Sequence, residues 1–237
     1  MISKYPKTRT ILPDDYKKIY NDHYYKNREG QTSASFLSKM MESWLHKKVA
    51  KDLSNSTDRY TLEIGAGTLN QLQYENTKPY DIIEPFTALY KNSKYLSQID
   101  NIYNDIDDIE VSPKYDRITS IATFEHITDL PKVVAKTCQL LKTGGTLRVS
   151  IPNEGTILWK LGWKLTTGLE FRLKYKLKYE TLLKHEHVNN ADEIEDVLNY
   201  FYSNVKCSCF GLNRRFAFYR FYECSEPKIS VAEDYLK

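Results

Sequence analysis

Short strand-like runs alternate with helical stretches from Arg59 to Pro152, and this alternation restricts the fold more than any other feature of the chain. The strand-like runs read YTLEIG, YDIIEP, NIYND, YDRITSIAT and TLRVSIP, with helix candidates near 69–76, 86–97 and 129–142. Strands that are separated by helices form βαβ units, in which the strands pair in parallel. The sequence therefore predicts an α/β fold built on a parallel sheet.

The alternation stops after Pro152. Residues 153–187 form a basic and aromatic insertion, here called the flap, and a helix is predicted at 190–202 with an asparagine as its N-cap. The runs NVKCSCFG and RRFAFYRFYE, joined by the short turn GLN, predict an antiparallel hairpin at the end of the sheet. Helical spacing at 14–27 and 33–53 predicts two further helices. We therefore divide the chain into an N-terminal helical lid, 1–55, and a core, 56–237, that carries the flap.

The composition is that of a globular protein without a membrane-spanning segment. Hydrophobic residues make up 41% and charged residues 27% of the 237 residues, and no apolar run reaches the roughly 18 residues that a spanning helix needs. The N-terminal segment turns polar too early for a secretory signal. The four cysteines include no C-x-x-C pair, so we expect reduced thiols and a cytoplasmic protein. The net charge of +3 does not demand a nucleic-acid partner.

Glycines and acidic residues mark the predicted strand ends. Gly65 and Gly67 form a turn that presents backbone N–H groups at the carboxyl edge of the sheet, where ligands bind in folds of this kind. Glu63 lies inside the first strand, Glu84 ends the second, and Asp105 ends the third. Each acid has a structural alternative: a helix cap for Glu63, a solvated side chain for Glu84 and a turn for Asp105. Because three acids occur at successive strand ends, we favour a binding site over three independent structural roles.

The turn differs from the loops that bind diphosphates. A dinucleotide loop has a third glycine three residues after the second, where this chain has Asn70, and no Gly-Lys-Ser/Thr loop is present. An acid before the turn favours a ligand with a positive charge. S-adenosylmethionine is such a ligand: it has an amino group, a sulfonium, a ribose diol and an adenine.

The ordered segments LEIGAG, DIIEP, NDIDDI, ITSIATFEHITDLPKVV and LLKTGGTLRVSIPNEG resemble the motifs of class I S-adenosylmethionine-dependent methyltransferases, most closely over residues 59–152. The resemblance implies a Rossmann-like, doubly wound sheet of seven strands, mostly parallel with an antiparallel C-terminal hairpin. It implies S-adenosylmethionine as cofactor and S-adenosylhomocysteine as product. The cofactor contacts that it implies are Glu63, Gly65, Ala66, Gly67, Glu84, Pro85, Asp105, Ile106 and Thr123.

Histidines provide the candidates for acid–base chemistry. His126 follows the fourth strand at the mouth of the crevice, and His187 follows the flap; both are predicted as catalytic residues, with His185 predicted to contact the substrate. The alternatives are that His126 packs against the helix starting near Asp129 and that the segment HVNN only ties the flap to the sheet. His185, Glu186 and His187 are metal-ligand types, but no third partner is evident beside the two histidines, so we predict no metal.

The acceptor side is predicted from the lid and the flap. Tyr24 and Arg28 in the lid are candidate substrate contacts, Arg28 because its guanidinium can bind a carboxylate. Trp159 in the flap is a further candidate; it lies four residues from Trp163, on the same helical face. The basic flap has three interpretations: a site for an anionic acceptor, a surface that lies on a membrane, or solvated lysines over a satellite core. RNA binding is disfavoured by the small net charge.

The main hypothesis is O-methylation of a small polar acceptor. The flap and HEHVNN resemble methyltransferases of bacterial surface-polysaccharide pathways, which implies a sugar or a phosphorylated or nucleotide-linked intermediate as acceptor. The alternatives are N-methylation of a small molecule, a non-catalytic S-adenosylmethionine-binding module, and an NAD-dependent oxidoreductase. Both a monomer and a homodimer are compatible with the sequence.

Overall fold

The computed structural model describes residues 2–20, 36–53 and 58–237. Within them seven strands form one sheet in the order β3-β2-β1-β4-β5-β7-β6, in which β1 to β5 pair in parallel and β7 runs antiparallel to both of its neighbours. This architecture confirms the predicted Rossmann-like sheet with its antiparallel end. The strands are β1 (Thr61–Ile64), β2 (Tyr80–Ile83), β3 (Asn101–Tyr103), β4 (Tyr115–Ile121), β5 (Leu141–Pro152), β6 (Tyr202–Asn213) and β7 (Phe216–Pro227).

The helices flank the sheet and form most of the flap. In the described residues none of them combines the length and apolarity that crossing a bilayer requires. The helices are α1 (14–20, to the end of the first described stretch), α2 (Phe36–Ala50), α3 (Thr87–Tyr90), α4 (Leu130–Leu140), α5 (Ile157–Leu165), α6 (Thr167–Tyr175), α7 (Tyr179–Glu186), α8 (Ala191–Phe201) and α9 (Ile229–Leu236).

Three local predictions differ from the structure. The predicted helix at 69–76 is a 3₁₀ turn, Asn70–Gln73, because Leu69 adopts a left-handed conformation with φ 66° at its start. The predicted helix at 86–97 is only the single turn α3, followed by a 3₁₀ turn at Leu96–Gln98. In the hairpin the turn lies at 214–215, after the GLN segment, because the strands shift register at Gly211 and pair again beyond it.

One large apolar cluster joins the sheet to α4, α8 and α9. It includes Leu62 and Ile118 of the central strands, Val134 of α4, Leu198 of α8 and Ala232 of α9, all fully buried. Burying a large aliphatic side chain contributes about 1.5–3 kcal/mol relative to leaving it exposed. This cluster fixes the strands whose carboxyl ends carry the candidate site.

Two buried arginines hold α2 against the sheet. Arg117 of β4 donates to the carbonyl of Val49 at 3.1 Å, and Arg148 of β5 donates to the same oxygen at 2.8 Å and to Lys48 O at 2.9 Å. These carbonyls belong to the last turn of α2, whose C=O groups have no partner within the helix. Arg117 also forms a buried ion pair with Glu75, with Nη1 2.8 Å from Oε2. This part of the predicted lid therefore lies across the sheet, and the division at residue 55 stays a prediction.

Two buried asparagines mark the ends of the flap. Asn153 follows β5, and its Nδ2 donates to two carbonyls of the β6–β7 hairpin region, each at 2.8 Å. Asn189 precedes α8, and its Nδ2 donates to the carbonyls of Phe124 and Ile127 at 2.9 and 2.7 Å. Residues 154–188 thus leave and rejoin the core at two fixed points.

Candidate functional site

A cavity of about 400 Å³ opens at the carboxyl edge of β1, β2, β3 and β4. Of the residues predicted to contact a cofactor or to act in catalysis, seven line it. They are Gly65, Glu84, Pro85, Asp105, Ile106, Thr123 and His126. Its volume falls in the range of sites for small molecules, roughly 300–1,000 Å³. The parallel topology therefore gathers side chains from four successive strand ends around one space.

The wall formed by Gly65 has no room for a larger residue. Gly65 adopts φ +72°, and a Cβ placed on it would lie 2.4 Å from the side chain of Thr123. Its N–H donates to Ile83 O at 2.9 Å, which holds the turn against β2. Thr123 donates from Oγ1 to Gly65 O at 3.3 Å. The turn is thus fixed on both sides, with bare backbone facing the cavity.

The next residues of the turn support this wall. Gly67 also has a positive φ, 53°, and Ala66 is buried in the apolar cluster behind the turn. Neither residue is among those lining the cavity. Their contribution is the shape of the turn and one N–H group, that of Gly67.

Glu84 is buried and held by backbone donors. Oε2 accepts the N–H of Gly67 at 2.8 Å, and Oε1 accepts the N–H of Phe86 at 3.0 Å. A carboxylate has about four acceptor positions, so both oxygens can still accept from a ligand in the cavity. The two carboxylate oxygens of Glu84 are therefore held in a fixed orientation, in which both can accept hydrogen bonds from a ligand.

Asp105 and Ile106 follow β3, and both line the cavity although they differ in burial. Asp105 is exposed and caps the 3₁₀ turn Ile106–Asp108, with Oδ1 accepting the N–H of Asp107 at 3.0 Å. Ile106 is buried and lines the cavity with its side chain. The turn-forming alternative for Asp105 is observed, and the residue also faces the cavity.

Glu63 lies behind the turn and is not among the residues lining the cavity. Burial raises the pKa of its carboxyl to about 8, although the hydroxyl of Tyr80 donates to Oε2 at 2.8 Å and counteracts the shift. At neutral pH the protonated form is favoured, which avoids a buried charge in the central strand. Glu63 can therefore support the turn as a neutral group.

His126 has a defined tautomer. Its Nδ1 lies 3.1 Å from the carbonyl oxygen of Glu186. A carbonyl oxygen only accepts, so Nδ1 carries the proton, and in the neutral ring Nε2 has the lone pair. Oε1 of Glu125 lies 3.9 Å from Nε2. His126 is thus arranged to accept a proton beside the cavity.

His187 packs against His126. The ring centroids lie 4.7 Å apart at an interplanar angle of 88°. Its Nδ1 is hydrogen-bonded to Glu154, a residue of the flap that the sequence did not single out. Burial raises the pKa of Glu154 to about 8. The flap and the loop after β4 therefore meet at this histidine pair.

The HVNN segment ties the flap to this loop, as the structural alternative for it predicted. The N–H groups of Val188 and Asn189 both donate to Glu125 O, at 2.8 and 3.1 Å. Together with the side-chain bonds of Asn189, these contacts fix the position of His126 and His187 relative to β4.

Glu125, His126 and His187 also have the geometry of a candidate metal centre. One donor atom from each lies within 4.8 Å of the others. The sequence paired His185 with His187 and found no third ligand, but the structure places His187 with His126 and directs His185 elsewhere. The predicted absence of a metal stays a prediction.

The remaining predicted contacts lie in other places. His185 donates from Nδ1 to Thr10 O at 2.6 Å and lines a second cavity beside Arg9 and Tyr20. Trp159 packs edge-on against Tyr219 of β7 and is not among the residues lining either cavity. Tyr24 and Arg28 lie outside the described residues.

Arg9 is a cation at the site that the sequence did not reveal. It lines both cavities, and its guanidinium donates to the carbonyls of His126 at 2.7 Å, His185 at 3.0 Å and Glu186 at 2.9 Å. The sequence around Arg9 has neither a helical nor a strand pattern and no motif that would indicate a binding residue. Its place follows from the N-terminal segment crossing the loop after β4, where Lys7 N–H bonds to Thr128 O at 2.8 Å.

Residues 34–199 match the family model of a methyltransferase domain. A curated relative is the malonyl-[acyl-carrier protein] O-methyltransferase of Acetivibrio thermocellus, 28% identical over 139 residues. The alignment covers 56% of this chain and 49% of the relative, so the chain spans about half the length of the relative that it matches.

Solved structures share the fold at low sequence identity. An S-adenosylmethionine-dependent methyltransferase of Thermotoga maritima aligns with a TM-score of 0.57 and 15% identity, over 89% of this chain and 97% of that one. Phosphoethanolamine N-methyltransferase 2 of Haemonchus contortus, solved with S-adenosylmethionine, aligns with a TM-score of 0.52 and 12% identity, over 86% and 60% of the two chains. At these identities the likeness is one of fold.

Proposed function

This chain belongs to the methyltransferase-domain family, and we propose that it transfers a methyl group from S-adenosylmethionine to an oxygen of a small polar acceptor. The observation that carries the proposal is the cavity in which bare backbone at Gly65 faces the same space as the buried carboxylate of Glu84. These are the two features that an adenosyl ligand with a ribose diol requires.

The cavity residues fit the cofactor part by part. Glu84, oriented by two backbone N–H groups, accepts from the two ribose hydroxyls. Ile106 packs on the adenine, and Asp105 accepts from its amino group. Gly65 and Thr123 border the methionine portion, and Arg9 supplies a positive charge for its carboxylate. Pro85 lines the same wall, while Glu63, Ala66 and Gly67 keep the turn in shape.

His126 is the proposed base. When bound, S-adenosylmethionine supplies an electrophilic methyl group, and the sulfur keeps the electrons of the broken C–S bond as the thioether of S-adenosylhomocysteine. Nε2 of His126 takes the proton of the acceptor hydroxyl, and the carboxylate of Glu125 offsets the charge that the ring gains. His187, held by Glu154, positions the ring of His126.

Oxygen is favoured over nitrogen because of this base. A hydroxyl must lose its proton as it is methylated, whereas a neutral amine attacks with its own lone pair. We propose a sugar, or a phosphorylated or nucleotide-linked intermediate of surface-polysaccharide synthesis in the cytoplasm, as the acceptor. Tyr24, Arg28, Trp159 and His185 stay predicted acceptor contacts.

The first experiment separates the cofactor classes. We expect S-adenosylhomocysteine to raise the melting temperature of the protein and NAD to leave it unchanged. Glu84→Ala removes the ribose acceptor and should weaken binding of S-adenosylhomocysteine at least about tenfold by calorimetry. Glu110→Ala, a change at an exposed acid beyond the cavity, is the matched control. Equal affinities in the two variants would remove the ribose assignment.

The second experiment identifies the acceptor. Candidate sugars and nucleotide conjugates are incubated with the protein and S-adenosylmethionine, and mass spectrometry reports the mass gain of one methylene unit. A cofactor that binds without methylating any acceptor class would favour the non-catalytic binding module.

A further inference from the structure

Helices α5 and α6 of the flap have apolar residues on two opposite sides. The inner side is aromatic: Trp159 packs on Tyr219, and Phe171 is buried against Tyr175 and Tyr179. The outer side is aliphatic and 50–78% exposed. Its residues are spaced four positions apart within each helix and are Ile157, Leu161 and Leu165 on α5 and Leu169 and Leu173 on α6.

This outer row is unusual for a surface helix. A helix on a globular protein buries one apolar stripe and turns polar residues outward, and exposed aliphatic residues normally occur singly. Here five of the fourteen large apolar side chains that are exposed in the described part of the chain fall between Ile157 and Leu173. The sequence predicted a satellite core of Leu and Trp under the lysines; the observed cluster contains Phe171 and Leu182 with Leu12 and Tyr16, and none of the five exposed aliphatic residues joins it. A concentrated exposed apolar row indicates an interaction surface.

The charges on the same helices are almost all positive. Residues 157–178 contain six basic residues and one acid, Glu170. The six are exposed, and none of them forms an ion pair with any residue in the described ranges. They are Lys160, Lys164, Arg172, Lys174, Lys176 and Lys178. Long basic side chains beside an apolar row can extend their heads to anionic groups while their stems cover apolar surface.

We propose that α5 and α6 lie on the surface of an anionic lipid bilayer. The five aliphatic residues enter the boundary between headgroups and acyl chains, and the basic residues bind lipid phosphates. The charge complementarity selects this partner over a second copy of the chain, because two such surfaces facing each other would bring the basic residues together.

Helix α7 connects the chain from this surface to the cavity wall. From α6 the chain continues into α7, which ends at Glu186, a residue of the cavity wall, and His187 follows. Resting on the proposed function, this path indicates an acceptor that is attached to lipid and reaches His126 from the bilayer.

Vesicle binding tests the proposal without any methyl transfer. The full chain is sedimented with vesicles of phosphatidylglycerol and phosphatidylcholine, and with phosphatidylcholine alone, at low and high salt. We expect binding to the anionic vesicles that weakens with salt. Leu165→Glu/Leu173→Glu should lower the partition coefficient about tenfold or more. Val111→Glu is the control, since Val111 is also an exposed aliphatic residue but lies in the segment before β4, outside the flap.

The other outcomes are distinguishable. Binding that is absent, or equal in the double variant and the control, overturns the proposal. A wild-type dimer by light scattering that Leu165→Glu/Leu173→Glu converts to a monomer, without vesicle binding, assigns the row to a second copy and overturns it too. The double variant must keep the melting temperature and the S-adenosylhomocysteine shift of the wild type. Vesicle binding without any such shift in the wild type would remove the proposed function and leave the lipid surface standing.

Discussion

The carbonyl oxygen of Glu186 lies 3.1 Å from Nδ1 of His126 and fixes the tautomer of that ring. The two residues are distant in sequence and meet because α7 returns from the flap to the loop after β4. A backbone oxygen at the end of one element thus decides which nitrogen of a side chain on another can act as a base.

His126→Asn tests this assignment. The asparagine amide can still donate near the position of Nδ1 but has no nitrogen lone pair for a proton. We expect kcat to fall about 100-fold or more once an acceptor is known, with little change in the affinity for S-adenosylhomocysteine. The control is His46→Asn, because Nδ1 of His46 also bonds to an oxygen, Oε1 of Gln71, and His46 is not among the residues lining either cavity. Similar kcat values for both variants would show that His126 is not the base.

Chelation tests the cluster of Glu125, His126 and His187. We expect the rate to stay within about twofold after dialysis against EDTA, because the sulfur leaves as a neutral thioether and needs no Lewis acid. A rate that disappears and returns with Mg²⁺ or Mn²⁺ would reassign the three side chains as metal ligands.

Gly65→Ala tests the packing of the turn against Thr123. The new methyl group would lie within 2.4 Å of the threonine side chain, so the turn or Thr123 must move. We expect loss of the thermal shift by S-adenosylhomocysteine and destabilisation by about 2–4 kcal/mol, from the left-handed φ and the steric overlap. Gly144→Ala is the matched control: φ is +80° there, but no atom lies within 4 Å of the added Cβ. Equal losses in both variants would attribute the effect to backbone conformation alone.

Glu63 makes stability depend on pH. Its folded pKa of about 8 exceeds the reference value of 4.5, chiefly through burial, with Glu75 and Glu84 adding to the shift and Arg117 opposing it. The stability that this group contributes is fully present below pH 4.5 and is lost as the pH rises through about 8. Glu63→Gln cannot ionise and keeps an acceptor for Tyr80. Its melting temperature relative to wild type should therefore increase from about pH 6 to about pH 9.

The matched control for this measurement is Glu110→Gln, at an exposed acid. A difference between Glu63→Gln and wild type that does not change with pH would mean that Glu63 is already ionised in the folded protein.

The sequence predicted those features of the fold that depend on residues close together in the chain. Hydrophobic runs and the Gly65 turn identified the parallel strands, and the Asn190 cap marked the start of α8, where its Oδ1 accepts from Asp192 and Glu193. The acids at the ends of β2 and β3 were found because parallel strands end at a common edge.

Features that depend on tertiary contacts were missed. Glu154 pairs with His187, and Arg9 reaches three carbonyls, only because distant segments cross. The short turn at Asn70–Gln73 replaced a predicted helix because a left-handed Leu69 outweighed local helical preference, and the predicted helix at 86–97 is the single turn Thr87–Tyr90. The protonated state favoured for Glu63 follows from complete burial, which the sequence around it does not reveal.

Asn153 and Asn189 fix the two ends of the flap to the core. Both amides bind backbone oxygens outside residues 154–188, so the joints do not depend on the side chains between them. Helices α5 and α6 could thus be exchanged during evolution while the strand ends that carry Gly65 and Glu84 stay unaltered, since neither helix contributes a residue to the lining of that cavity.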